Sequence, residues 1–259
     1  MKLNDSGEIE KILNNSKLES LSTEDLVQRA FKFHSKGNIL EASKYYQYIL
    51  SRGVKDYRIL SNYAVICKQN GDISKSIKLF KLSINQFPSN IAALFNLAKT
   101  YTDIGDLVEA EKTLSRYIQK KQNSFDGFLE LARIQSLKLD LISAEKAIRK
   151  AISIKTNSEL AHFNLGVILH HMGKLDEAKL SFLNAVELNV TFAKPYYSLS
   201  ILQHISTLSQ WENNLFSEKI LLNQSDLDLA SLYFARANVM HNKNRYDLSA
   251  NNLIIANRI

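Results

Sequence analysis

The chain has 259 residues, 45% of them apolar and 23% charged, and a formal net charge of +7. Eight glycines, two prolines and a single cysteine, Cys67, exclude an intramolecular disulfide and a cysteine-rich metal centre, and favour a nearly continuous helical chain with short connections. The opening MKLNDSGEIEKILNN lacks the apolar core of a signal peptide, and no run approaches the roughly 18 uninterrupted apolar residues of a membrane span. A soluble cytoplasmic protein without a membrane partner is the expectation.

The positive charge is dispersed. Lys75, Lys78, Lys81, Arg116, Lys120, Lys146, Arg149 and Lys150 fall mostly in the second helix of the units described next, with acidic residues accompanying many of them. That distribution reads as a solvated outer face, and no nucleic-acid partner is expected.

In chain order, residues 1–22 read as an N-terminal extension. Ser22 is placed to cap a helix starting at 23, with Asp25 in the capping-box position. A pattern with a period of 34 then begins. Gly37, Gly71 and Gly105 are spaced by that interval, and Gly173 follows two periods after Gly105. Five residues after each such point stands a small residue (Ala42, Ser76, Ala110, Ala144, Ala178), and four further a large one (Tyr46, Phe80, Leu114, Ile148, Phe182). Upstream, Ala30, Ala64, Ala98, Ala132 and Gly166 keep the same register.

Each feature has a physical cause. Apolar residues at helical spacing, such as Leu94, Leu97, Ala98 and Tyr101, define the first helix of a unit. The glycine ends that helix in a turn with φ > 0. The small residue lets the second helix approach closely, and the large one fills the space beside it. Five regular units are predicted at 23–56, 57–90, 91–124, 125–158 and 159–192. Residues 193–259 form two divergent units, the last including a C-terminal cap. The sixth starts at Ala193, carries an insertion and turns irregular around Ser209, Gln210 and Trp211. The seventh, 230–259, keeps Ala237, Asn244, Ser249 and Ala256 in register. Leu139 stands where the fourth unit should have glycine, so its turn should be strained or differently shaped.

This 34-residue glycine–alanine pattern resembles the tetratricopeptide repeat over roughly residues 23–259. The resemblance implies an all-α solenoid, a right-handed superhelix of antiparallel helix pairs whose first helices line a concave surface. The ends carry a narrower likeness. HSKGNILEASKYYQYILSRGVKDYRILSNYAV resembles the opening of bacterial tetratricopeptide arrays that precede a catalytic domain, often a sulfotransferase. LFSEKILLNQSDLDLASLYFARANVMHNKNRYDLSANNLIIAN resembles the segment just before that domain. No GxxxxGK loop or comparable phosphate cradle is present, so the implied role is a binding arm.

Position 6 of the first helix carries Asn62, Asn96 and Asn164 in three of the units. Asparagine is a mediocre helix former, so helix propensity does not account for it there. Its amide can both donate to and accept from an extended peptide bond. The recurrence resembles the asparagine ladder by which O-GlcNAc transferase arrays hold peptide backbones; alternatively each amide bonds a neighbouring helix or water. Position 6 is Gln28 in the first unit, Glu130 in the fourth, Ser198 in the sixth and Ala235 in the seventh, and Arg133 lies one turn beyond Glu130. Phe95, Leu129, Phe163, Tyr197 and Phe234 hold position 5, as a groove floor or, for most of them, as core. Lysine is absent from position 5, which argues against recognition of a free acidic C-terminus.

The peptide-groove candidates are therefore Gln28, Asn62, Asn96, Lys99, Glu130, Arg133, Asn164, His170, Ser198 and His204. Four histidines, His34, His170, His204 and His241, share position 12, where a helix C-terminus favours a partly charged ring. No shared metal is expected, because packed helices about 8–10 Å apart keep those rings from one ion. No nucleophile–base–acid set can be read, and Cys67 falls at a core position. The expected protein is a non-catalytic scaffold that binds a peptide or protein segment, needs no cofactor and is monomeric or weakly self-associating. The alternative is the recognition arm of a sulfotransferase or glycosyltransferase.

Overall fold

A computed structural model describes residues 20–202 and 210–259. Among the described residues there are fourteen α-helices, one 3-10 turn and no strand. They fall into two compact units, one ending at Lys120 and the other running from Lys121 to Ile259.

The first unit holds three antiparallel pairs: α1 (Thr23–Ser35) with α2 (Ile39–Ser51), α3 (Tyr57–Gln69) with α4 (Ile73–Gln86), and α5 (Ile91–Asp103) with α6 (Leu107–Lys120). Their first helices thus start at 23, 57 and 91, one period apart. Ser22 caps α1, its hydroxyl accepting from the Asp25 N–H at 3.1 Å and donating to the Asp25 carboxylate at 2.6 Å. Asn38 and Asp72 cap α2 and α4 in the same way, accepting from Glu41 and Lys75.

Among the described residues, the turns at 37, 71, 105, 139, 173 and 244 between paired helices share one shape. In the first pair Gly37 has φ of 73°, its N–H reaches the His34 carbonyl, and Asn38 N–H reaches the Phe33 carbonyl. Two orphan carbonyls of the helix end are satisfied by that reversal, which is why the position wants glycine. Leu139 in the fourth pair keeps the same two bonds, from its own N–H to Ser136 and from Asp140 N–H to Gln135, at φ of 62°. Its turn is strained rather than reshaped, because the hydrogen bonds fix the path and leucine must follow it. Asn244 does likewise at φ of 57° in the last pair.

Packing inside a pair follows the small–large register. Ala42, Ser76 and Ala110 are fully buried, and so are Tyr46, Phe80 and Leu114 beside them. The second helix of each pair also packs on the first helix of the next, α2 on α3 and α4 on α5. No pair could bury both faces alone, so stacking is what completes the core.

The second unit continues the period with α7 (Phe125–Leu137), α8 (Leu141–Ile154), α9 (Glu159–His171) and α10 (Leu175–Leu188). One apolar cluster runs through it, from Ala132 and Ile148 past Leu165, Leu169 and Phe182 to Tyr196, Trp211 and Val239. Beyond Leu188 the pattern loosens. After α11 (Lys194–Leu202) the expected second helix is reduced to α12 (Gln210–Leu215) and a 3-10 turn at Glu218–Leu221. The guanidinium of buried Arg236 donates to the carbonyls of Leu215 and Ser217, at 2.9 and 3.1 Å. Those bonds replace the helical ladder that the shortened segment lacks. Buried Glu212 is ion-paired to Lys243.

The last pair is α13 (Asp226–Asn242) and α14 (Tyr246–Ala256). Its first helix starts at 226, ahead of the position 230 expected from the repeat. Ser225 caps it by accepting from Asp228 N–H, adding a turn before the periodic residues begin. Ser209 lies outside the described residues.

Candidate functional site

In the first unit α1, α3 and α5 are its first helices, and α3 touches α5 directly. Gln28 is exposed on α1. Asn62 on α3 is half-buried, and its Nδ2 lies 3.4 Å from the Tyr46 hydroxyl. That hydroxyl also lies 3.0 Å from Nδ1 of His34, so one chain of polar contacts links α1, α2 and α3. Burial pushes the Tyr46 hydroxyl pKa up, and the Asn62 contact opposes it. Asn96 on α5 is half-buried, and its amide makes no hydrogen bond to another described residue. The Asn96 backbone carbonyl accepts from the Thr100 hydroxyl at 2.8 Å. Lys99, one turn on, is exposed with its ammonium 5.8 Å from the Phe95 ring centre. Lys68 of α3 and Asp103 of α5 pair at 2.5 Å across the same two helices.

In the second unit Asn164 of α9 repeats the Asn96 environment: half-buried, with an amide that bonds no other described residue. Glu130 of α7 is buried and held by Arg133, with Nη2 to Oε1 at 2.8 Å and Nε to Oε2 at 3.1 Å. The pair offers a neutralised surface, not a bare charge. Ser198 is half-buried on α11, and His170 is exposed at the end of α9 with its ring 6.0 Å from that of His171. His204 lies outside the described residues.

The position-5 aromatics divide. Phe95 packs 5.0 Å from Tyr117, and Phe163 sits between Phe182 and Phe192 at 5.7 and 5.6 Å. Tyr197 is 42% exposed. Of these, Tyr197 is the ring most exposed to solvent, and Phe234, like Phe95 and Phe163, is half-buried.

Sequence reasoning treated Tyr46 as an apolar filler and missed its hydroxyl. A tyrosine at a position otherwise held by Phe, Leu or Ile is a signal, since a buried phenol requires a hydrogen-bond partner. It also missed Asn90, which donates to the Ser61 and Ser83 hydroxyls at 3.0 Å each and ties α3 to α4. Among the described residues there is no group of three or more His, Cys, Asp or Glu side chains that could hold a metal. Nor is any described helix long and apolar enough to cross a membrane.

Two tetratricopeptide-repeat family profiles match the chain, over residues 69–134 and 160–189. Uncharacterized protein YgeG of Escherichia coli K12 is 33% identical over 70 residues, which is 26% of this chain and 43% of that protein. The match thus spans less than half the length of that relative. A tetratricopeptide-repeat protein from Parabacteroides merdae superposes with a TM-score of 0.68 at 16% identity, covering 91% of this chain and 92% of that one. MamA from Desulfovibrio magneticus RS-1 gives 0.62 at 15% identity, over 66% of this chain and 96% of that one. Identities this low establish shared fold alone. The helix pairs, their period and these matches agree: the chain carries tetratricopeptide repeats and has the all-α fold of a tetratricopeptide solenoid.

Proposed function

We propose that the protein is a non-catalytic interaction scaffold that holds an extended peptide segment against its first helices. The observation that carries this reading is the pair Asn96 and Asn164. Each is a half-buried amide at the same repeat position, and neither is engaged by the protein's own described groups. An amide left open on a helix face costs helix propensity and returns nothing to the fold, but it can bond both groups of a peptide unit. Asn62 contributes its carbonyl and second N–H, the first being directed to Tyr46. Exposed Gln28 and half-buried Ser198 hold the same repeat position in other first helices, and exposed Lys99 and His170 stand on the helices of Asn96 and Asn164, each a further polar group for the partner. Gripping backbone rather than side chains makes such a surface tolerant of partner sequence.

The test is selection of peptides from a displayed random library on the full chain, followed by affinity measurement with Asn96→Ala/Asn164→Ala. Two lost amide contacts at about 0.5–1.5 kcal/mol each predict binding weaker by about five- to 150-fold. The thermal melt should not fall, since neither amide supports the fold and alanine is the better helix former. Unaltered affinity, or a collapsed melt, would refute the assignment. Saturable micromolar binding of a sulfonucleotide would overturn the non-catalytic reading.

A further inference from the structure

The five regular repeats, set in register, expose residues that their own fold does not need. The position of Leu139 is held by Gly37, Gly71, Gly105 and Gly173 in the other four, and that of Leu137 by Ser35, Gln69, Asp103 and His171. Both become leucine in the fourth repeat. Leu137 and Leu139 are 52% and 80% exposed, and Ile142, across the same turn, is 64% exposed. Single exposed aliphatic residues are ordinary, but three within six residues make a contiguous apolar knob. Leu139 is moreover held at φ of 62°, a conformation that leucine adopts only under strain. It is strained and almost unburied, so the fold gains nothing from it.

A matching departure lies one repeat further on. Two places after the small helix-crossing residue stand Lys44, Lys78, Lys112 and Lys146 in the first four repeats, and Leu180 in the fifth. Leu180 is 62% exposed and forms the lip of an open hollow of about 410 Å³ between α8 and α10. Leu165 and Leu169 of α9 lie at its floor, and Ile152 of α8 forms part of its wall. Arg149 and Glu177 stand at its rim, 3.2 Å apart. A lysine at 180 would place an ammonium on this lip, whereas leucine keeps it apolar.

We propose that the fourth-repeat turn of one copy of this chain docks, by Leu137, Leu139 and Ile142, into this hollow on a second copy. Charge complementarity selects that occupant. Exposed Lys138 and Asp140 flank Leu139, and the rim carries Glu177 and Arg149, so each charge of the turn has its opposite at the hollow. Both surfaces also arise by the same kind of change, from glycine or a polar residue to leucine, in consecutive repeats of one compact unit. The contact joins unlike surfaces and does not involve Asn96 or Asn164, so it goes beyond the peptide-scaffold reading and does not depend on it. One turn in one hollow is a small interface, and the association is correspondingly weak.

Sedimentation equilibrium of the full chain, from micromolar to millimolar concentration, tests this. The mean mass of the wild type should rise with concentration. Leu139→Gly restores the residue of the other repeats and removes the tip of the knob, and Leu180→Lys restores the lysine of the first four and closes the lip. Neither opens the core, and circular dichroism should show both folded. Each should weaken self-association by about ten- to 150-fold, the loss expected from leaving one leucine unburied. Ile142→Ser, the residue of the second repeat at Ser74, should act like Leu139→Gly without altering the turn's backbone. Mixing Leu139→Gly with Leu180→Lys is the decisive arm. The intact knob of one variant fits the intact hollow of the other, so the mixture should form a 1:1 complex that neither variant forms alone. A wild type that stays monomeric at millimolar concentration would overturn the proposal, as would self-association that survives both single variants. A mixture that fails to associate would show like surfaces in contact and overturn the knob-in-hollow pairing.

Discussion

Gly166 and Phe182 offer a direct test of how a helix pair is packed. A Cβ placed on Gly166 would lie 2.5 and 2.6 Å from two carbons of the Phe182 ring, well inside contact distance. The ring cannot simply swing away, because it is 1% exposed and packed 5.7 Å from Phe163. Gly166→Ala should therefore cost about 1–3 kcal/mol of overpacking, offset by about 1 kcal/mol of improved helix propensity. The net loss is at most about 2 kcal/mol. Phe182→Leu alone leaves a void and should cost about 1–2 kcal/mol. Combined, they recreate the buried alanine–leucine pairing of Ala98 and Leu114 in the third repeat. The double variant should be more stable than the sum of the single changes by about 1–2 kcal/mol. Urea unfolding followed by circular dichroism measures all four corners of the cycle. Additivity within about 0.5 kcal/mol would show that the glycine is not there to admit the ring.

Three further outcomes concern single positions. Leu139 is 80% exposed at φ of 62°, so Leu139→Gly gives up little burial and relieves strain, and should raise stability by up to about 1 kcal/mol. Gly105→Ala, at φ of 78°, should lower it by about 1–2 kcal/mol; thermal shifts of the same sign would refute the conformational argument. Ser76 occupies a position held by alanine in the other four regular repeats, and its hydroxyl is buried without a hydrogen-bond partner among the described residues. Ser76→Ala should stabilise by about 1 kcal/mol in urea unfolding, and a loss of that size would mean the hydroxyl is satisfied.

The helix pairs were legible because their determinants are local or repeated. A helix start at 23 or 57 needs only a capping residue and a periodic apolar face, and a turn at Gly71 needs only a residue that tolerates φ > 0. Repetition then multiplies each weak signal at an interval of 34. The divergent end was less legible for the same reason. Arg236 reaching the carbonyls of Leu215 and Ser217 joins groups about twenty residues apart in no fixed register, and nothing periodic marks it.

The candidate site divides along the same line. That Asn62, Asn96 and Asn164 share a helical position follows from counting along the chain. Which amides stay open was decided by the tertiary structure alone. Asn62 meets a phenol where Tyr46 of the preceding repeat packs, whereas Phe80 and Ile148 hold the corresponding repeat positions before Asn96 and Asn164 and have no polar side-chain atom to offer. Sequence fixes the register in which a side chain leaves its helix, but its hydrogen-bond partner comes from the neighbouring helix, and only the packed structure brings the two within reach.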